Sequence, residues 1–166
     1  MVFLVRHGET AWTLTGQHTG RTDLPLNEQG ERQAREVGAR LTAPRFDRIL
    51  SSPLQRAPRT AELAMPHFWV EADDDLMEWD YGAYEGRRTV DIEVERPGWR
   101  LFRDGCPGGE TLDSVGARAT VSSTAFAHAA AMCFSLPIVK SCAFLLCVGS
   151  GSHQQKDAAC CSPPRP

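Results

Sequence analysis

The residues best suited to chemistry lie at positions 6–10, where Arg-His-Gly-Glu-Thr directly follows a short apolar run. In open α/β sheets, ligands bind at the carboxyl ends of strands, which is where this stretch is expected to fall. An arginine beside a histidine, followed by a glycine that lets backbone approach closely, suits a phosphate group. A lone histidine is more often a hydrogen-bonded loop residue, so the neighbouring arginine is what favours chemistry. The stretch therefore predicts a phosphate site around Arg6 and His7.

Five stretches together resemble the histidine phosphatase superfamily, the phosphoglycerate-mutase-like proteins. They are RHGET at 6–10, GQHTGRTDLPL at 16–26, SSPLQRA at 51–57, EWDYGAYEG at 78–86 and RDGCPGGE at 103–110. The last two look most like the branch of phospho-sugar and broad acid phosphatases, which includes sedoheptulose-bisphosphatase-like enzymes. The resemblance runs from Leu4 through Arg118.

The resemblance implies a phosphomonoester hydrolase that acts through a phosphohistidine intermediate on small phosphorylated metabolites such as sugar phosphates. His7 would be the nucleophile, which splits the transfer into two steps. Arg6 and Arg56 would grip phosphate oxygens in fork geometry. Glu78 would protonate the leaving alkoxide and then take a proton from the attacking water.

The resemblance also implies that Thr13, Thr19 and the Gly20 backbone line the pocket. It implies neither a metal nor a cofactor, and the partner it implies is a small phosphorylated metabolite. Two other functions stay open at this stage: a phosphoglycerate-type mutase, and a phospholigand-binding protein without turnover. The sequence does not name the substrate or the oligomeric state.

Two departures from the family pattern predict impaired activity. Pro58 falls about six positions into a helix that Pro53 is expected to begin, and an interior proline costs about 3 kcal/mol, which would tilt Arg56. The family also has a second histidine after an apolar strand late in the chain. His128 and His153 do not follow such a strand, and we interpret both as incidental.

The elements that must position these residues alternate between strand and helix. Residues 2–5 predict a buried parallel strand in the centre of a sheet. Asn27 predicts the cap of a helix over residues 28–42, with Ala34, Val37, Gly38 and Leu41 facing inward. Residues 46–50 predict a second strand, and Ser52 with Pro53 the start of a second helix. We expect an α/β, three-layer, phosphoglycerate-mutase-like fold with a mainly parallel central sheet.

The chain changes character near residue 119. The first 119 residues contain fifteen arginines and no lysine, whereas five of the six cysteines lie in the last 47 residues. Leu112, Val115 and Ala119 predict a third helix whose apolar rhythm is then lost. We therefore expect an incomplete histidine-phosphatase domain over 1–119 and an aberrant, poorly ordered tail over 120–166. The C-terminal strand and helix of the fold are expected to be lost or replaced.

We predict that a shift of reading frame near the codon of Ala119 caused this change. Read in the other frame with mostly G- or C-ending codons, the tail restores an apolar helix, a strand reading DVLLF and a histidine whose codon straddles those of Pro137 and Ile138. That is where the family has its second histidine.

Charge and composition exclude some classes of protein. The chain has 166 residues, 42% of them hydrophobic, and a net charge of −3, so it has no basic field for nucleic acid or anionic lipid. Its longest apolar run in the tail, residues 141–149, is too short for a membrane span, which needs about 20 residues. The scattered cysteines do not have zinc or disulfide spacing. With Met1 leading straight into the first strand, we predict a cytoplasmic protein.

Overall fold

The computed structural model describes residues 3–41, 46–125 and 131–134. Its elements, in chain order, are β1 Phe3–Val5, α1 Ala11–Thr15, α2 Glu28–Arg40, β2 Arg48–Ser51, α3 Arg56–Ala64, β3 Val70–Ala72, α4 Thr89–Glu95, α5 Leu101–Asp104, α6 Leu112–Ala125 and β4 Ala131–Phe134. Two short 3₁₀ helices, Asp74–Leu76 and Gly82–Tyr84, interrupt the loop between β3 and α4. The alternation of strands and helices confirms the α/β prediction.

The four strands form one parallel sheet with the order β1-β4-β2-β3. β4 lies between β1 and β2, where Met132 is opposite both Phe3 and Ile49. Of the two expectations for the C-terminal strand, lost or replaced, the structure agrees with replacement, since residues 131–134 occupy the slot between the first two strands. Alanine is depleted in strands and the run has only four residues, so it carries no clear strand signal.

β1 differs from its prediction as well. Among the described residues it lies at the edge of the sheet and is half-buried, not central and covered on both faces. The reason is that β4 separates it from β2, so its described neighbours all lie on one side.

Helix α2 agrees with the sequence pattern. The side chain of Asn27 accepts a hydrogen bond from the Gly30 amide at 2.8 Å, as an N-cap should. The predicted inward stripe is buried or half-buried, with Ala34 the most buried member. Helix α6 runs to residue 125, so its predicted end near 119 is too early.

Helix α3 begins three residues later than predicted, at Arg56 in place of Pro53. Pro58 is consequently in the first turn, where a missing amide N–H loses no bond within the helix. The carbonyl of Leu54, four residues before Pro58, accepts from the Ala57 amide at 2.8 Å. The predicted tilt of Arg56 by an interior proline is therefore wrong.

Two apolar clusters stabilise the described part of the chain. One packs β2 against α3 and includes Ile49, Ala57 and Ala61. The other joins the loop after the first 3₁₀ helix to α4 and α6 and includes Trp79, Ile92 and Val115. No helix among the described residues combines the length and apolar character that crossing a membrane requires. The cytoplasmic location stays a prediction.

Close backbone contact joins α2 to the loop that follows β1. A Cβ on Gly30 would lie 2.2 Å from the carbonyl oxygen of Glu9, and a Cβ on Gly8 would lie 2.2 Å from the carbonyl oxygen of Gly30. Only hydrogen fits at these two positions, because the opposing atoms are backbone. The loop that carries His7 therefore rests directly on the first turn of α2.

We expect Gly30→Ala to lower the free energy of unfolding by about 1–3 kcal/mol, as overpacking against immobile backbone does. Gly116→Ala is the matched control, because its Cβ meets nothing within 4 Å, and there the helix gains about 0.5–1 kcal/mol. Urea unfolding of both variants measures the difference. Effects of the same sign would contradict this account of the contact.

Candidate active site

His7 follows β1 and is buried, with 8% of its surface exposed. Its Nδ1 lies 2.8 Å from the carbonyl oxygen of Gly8. The Gly8 amide in turn donates to the hydroxyl of Thr60 at 3.1 Å, and that hydroxyl donates to the carbonyl of Arg56 at 2.7 Å. The loop after β1 is therefore tied to helix α3.

The imidazole of His7 is neutral over most of the pH range. Burial above all, and then the positive charges of Arg56 and Arg6, lower its pKa to about 3, while the hydrogen bond to Gly8 acts in the opposite direction. A carbonyl oxygen can only accept, so the ring proton is on Nδ1 and the lone pair on Nε2. A neutral imidazole with a free Nε2 is a nucleophile.

Arg56 is almost wholly buried, with 2% of its surface exposed. Its guanidinium donates to the carbonyl oxygens of Thr22 at 2.9 Å and Gly20 at 2.8 Å. Burial lowers its pKa, although an arginine starts so high that it stays charged. These two bonds use two of its five N–H donors. The charge is thus fixed in place and still able to donate to another acceptor.

Glu78 lies in the loop between the two 3₁₀ helices, and its carboxylate accepts from the Trp79 amide at 2.9 Å. Burial raises the pKa of Glu78 to about 7, with that amide and the charges of Arg56, Arg6 and Arg118 acting in the opposite direction. The carboxyl group therefore keeps its proton up to near neutral pH. A protonated carboxyl group is the form that a general acid needs.

Arg118 of α6 holds the backbone on which Glu78 lies. It donates to the carbonyl oxygens of Asp75 at 2.8 Å and Met77 at 2.6 Å, and it forms an ion pair with Glu110 at 2.9 Å. Glu110 accepts from the Asp80 amide on the other side of the loop, at 2.9 Å. The loop is thereby fixed before and after Glu78.

A cavity of about 520 Å³ brings most of the predicted site residues together. Its walls are Arg6, His7, Thr13, Thr15, Gly16, Gln17, His18, Thr19, Glu78, Tyr81, Arg88, Thr89, Val90, Leu101 and Phe102. Thr13 and Thr19 thus lie where the resemblance implied, while Gly20 and Arg56 are outside the lining that the described residues form. The Gly20 backbone instead bonds to Arg56.

His18 is one of several cavity residues that had no role in the sequence predictions. His18 is buried, and its ring stacks on Tyr81 with 4.6 Å between centroids. Its Nε2 lies 3.3 Å from the hydroxyl of Thr89. His18 belongs to the GQHTG stretch, so its position within a family motif was the sequence signal that could have identified it. His128 and His153 lie outside the described residues.

In residues 3–41, 46–125 and 131–134, no three His, Cys, Asp or Glu side chains are grouped as metal ligands.

The fold and the cavity together define a class of protein, and the comparisons agree. The family described as "Histidine phosphatase superfamily (branch 1)" matches residues 2–131. The chain belongs to this superfamily.

The chain is similar to curated phosphatases over about two thirds of its length. It is 38% identical over 139 residues to sedoheptulose 1,7-bisphosphatase of Saccharomyces cerevisiae, covering 69% of this chain and 51% of that protein. It is 41% identical over 120 residues to an acid phosphatase of Mycobacterium tuberculosis, covering 71% of this chain and 59% of that protein. Other relatives have names of phosphoglycerate mutases. The chain spans only about half to three fifths of the length of these two phosphatases.

Solved structures share the fold. An open reading frame of Mycobacterium tuberculosis matches with a TM-score of 0.72 and 36% identity, covering 81% of this chain and 72% of that one. This likeness confirms the predicted fold class.

We expect Glu78→Gln to stabilise the protein at alkaline pH. Below pH 4.5 the carboxyl group is protonated in both the folded and the unfolded state, so the substitution changes little there. As the pH rises from 4.5 through 7, the unfolded state ionises first and the wild-type stability falls. The variant avoids this loss, which has an upper limit of about 3 kcal/mol at about 1.4 kcal/mol per pKa unit. Urea unfolding at pH 4 and pH 8 measures it.

Glu31→Gln is the control with the opposite sign. Hydrogen bonds from Arg59 and then Arg35 lower the pKa of Glu31, so its contribution to stability is present above pH 4.5 and is lost as the pH falls. That variant should lose stability at pH 8. If both variants behaved alike, the burial of Glu78 would not be the cause.

Proposed function

We propose that this chain is a phosphomonoester hydrolase that transfers the phosphoryl group to His7 and then to water. One observation carries the proposal: a neutral imidazole and a carboxyl group protonated to near pH 7 line the same cavity. The substrate class that fits is a small phosphorylated metabolite, with sugar phosphates the first candidates because a similar relative is named for one.

In the first step, the lone pair of His7 Nε2 attacks phosphorus and the bond from phosphorus to the ester oxygen breaks. Glu78 gives its proton to that oxygen, so the product leaves as an alcohol. Arg6 at the cavity wall and the unused donors of Arg56 balance the charge on the phosphoryl oxygens. The phosphoryl group is then bonded to nitrogen.

In the second step, water attacks the phosphohistidine and the nitrogen–phosphorus bond breaks. Glu78, now a carboxylate, takes a proton from the water. Inorganic phosphate leaves, and His7 and Glu78 return to their starting forms. Thr13 and Thr19 line the cavity in which the water and phosphate move.

Access of water favours hydrolysis over isomerisation. Val90 and Phe102 line the cavity and are 59% and 47% exposed, so water reaches the part of the cavity that they form, although His7 itself is buried. A mutase must protect the phosphohistidine from water. Measuring free phosphate and isomerised product in the same incubation distinguishes a hydrolase from a mutase.

We further propose that turnover is impaired, because no residue in this sequence matches the second histidine of the family pattern. The reading-frame shift stays a prediction.

We expect His7→Ala to abolish phosphate release and to abolish the labelling of the protein by a ³²P-phosphomonoester. The label on the wild type should be acid-labile and base-stable, as phosphohistidine is. Rapid quenching and gel analysis measure it. His67→Ala, outside the cavity, is the control and should keep both. Turnover that survives the loss of His7 would refute the mechanism, and phosphate binding without any turnover in the wild type would favour a binding protein.

We expect Glu78→Gln to lower kcat/KM for alkyl phosphates by about 10²–10⁴-fold, the usual contribution of a general acid. The same variant should lose far less with p-nitrophenyl phosphate, whose leaving group needs no proton. The fall of wild-type kcat/KM above pH 7 should also disappear in the variant, because it reports ionisation of Glu78. Equal losses on both substrates would remove Glu78 from the general-acid role.

A further inference from the structure

Glu85 collects five hydrogen-bond donors although it is not part of the cavity wall. We call the three residues beside it the strap: Gly20, Arg21 and Thr22. One carboxylate oxygen accepts from the amides of Gly20 at 3.2 Å and Thr22 at 3.3 Å and from the Thr22 hydroxyl at 2.7 Å. The other accepts from the amides of Arg21 at 3.0 Å and Tyr81 at 3.3 Å. Every amide of the strap thus donates to this one side chain.

The opposite side of the strap holds Arg56. The carbonyl oxygens of Gly20 and Thr22 accept from its guanidinium, as described above. The peptide group between Gly20 and Arg21 therefore donates its N–H to Glu85 and accepts a hydrogen bond from Arg56 at its carbonyl oxygen. A peptide dipole aligned between a negative and a positive charge stabilises both of them. The strap transmits the position of the carboxylate to the guanidinium.

The strap has no room for a side chain at Gly20. A Cβ on Gly20 would lie 2.1 Å from the carbonyl oxygen of Trp79 and 2.2 Å from the carboxylate of Glu85. The strap is thus pressed against both Glu85 and the loop that carries Glu78.

We propose that Glu85 is a positioning residue, which holds the strap so that the guanidinium of Arg56 stays beside His7 and the phosphate site. The inference rests on the proposed function, because it assigns Glu85 to the same phosphoryl transfer. A carboxylate near a phosphate site disfavours an anion by its own charge. Its net effect is favourable here because it fixes the charge of Arg56, whose backbone is tied to the His7 loop through Thr60.

The first test is Glu85→Gln. An amide keeps one acceptor oxygen but turns an NH₂ group toward donors of the strap, so the strap and Arg56 move. Binding of inorganic phosphate, measured by calorimetry, should weaken about tenfold. The pKa of His7, followed by NMR, should rise as Arg56 moves away, although burial of the ring still keeps it below its ordinary value. Glu71→Gln, which removes an exposed partner of Arg48, is the control and should change neither quantity.

The second test is a double-mutant cycle with Arg56→Lys. If Glu85 acts through Arg56, then Glu85→Gln has little further effect on phosphate affinity or on the His7 pKa in the lysine background. Additive effects on both quantities overturn the proposal, because Glu85 would then act on the site by another route. Thr22→Val removes only one donor of the strap. It should change the phosphate affinity and the His7 pKa in the same directions as Glu85→Gln but by smaller amounts. It replaces Glu85→Gln if that variant does not fold.

The outcomes separate this proposal from the proposed function. A non-additive cycle in a protein that hydrolyses no phosphomonoester supports the role of Glu85 and refutes the hydrolase. Turnover through His7 with an unchanged His7 pKa and phosphate affinity in Glu85→Gln supports the hydrolase and overturns the role of Glu85.

Discussion

The buried charge of Arg56 is the constraint on which the site depends. A guanidinium with 2% exposure is stable only where acceptors replace the lost water, and the carbonyl oxygens of Gly20 and Thr22 supply two of them. The same charge contributes to the low pKa of His7 and partly offsets the high pKa of Glu78. Burial is the main cause of both pKa shifts, and the buried cation reinforces burial at His7 but opposes it at Glu78.

The two carboxylates near this cation have different environments. Glu85 is saturated with N–H and O–H donors, which solvate a negative charge. The described contacts of Glu78 include only the Trp79 amide as a donor, so burial dominates and the proton is retained. Sequence alone does not distinguish them, because both are glutamates in one stretch of nine residues. The fold brings five donors to Glu85 and, among the described contacts, one to Glu78.

Local signals predicted the parts of the fold that short stretches determine. Asn27 capped its helix, and the apolar stripe of α2 faced inward, because both depend only on neighbouring residues. The start of α3 was wrong because residues 53–55 form bends and a turn before the helix begins, so Pro58 is in its first turn. The family pattern identified the lining residues Thr13 and Thr19, and their roles stay predictions. It did not reveal His18 or Glu85, because most of their partners lie 63 to 71 positions away and meet them only after folding.

The place of β4 between β1 and β2 has a consequence for the order of assembly. Strands β1 and β2 do not pair with each other in the described sheet, and the strand that joins them lies some 80 residues beyond β2 along the chain. Closing so long a loop lowers chain entropy before strand pairing can compensate for the loss. Such sheets therefore form slowly. During synthesis, the segment that carries His7 must therefore wait, unpaired on that side, until residues 131–134 have left the ribosome. A chain that ended before them would leave the first strand without its partner.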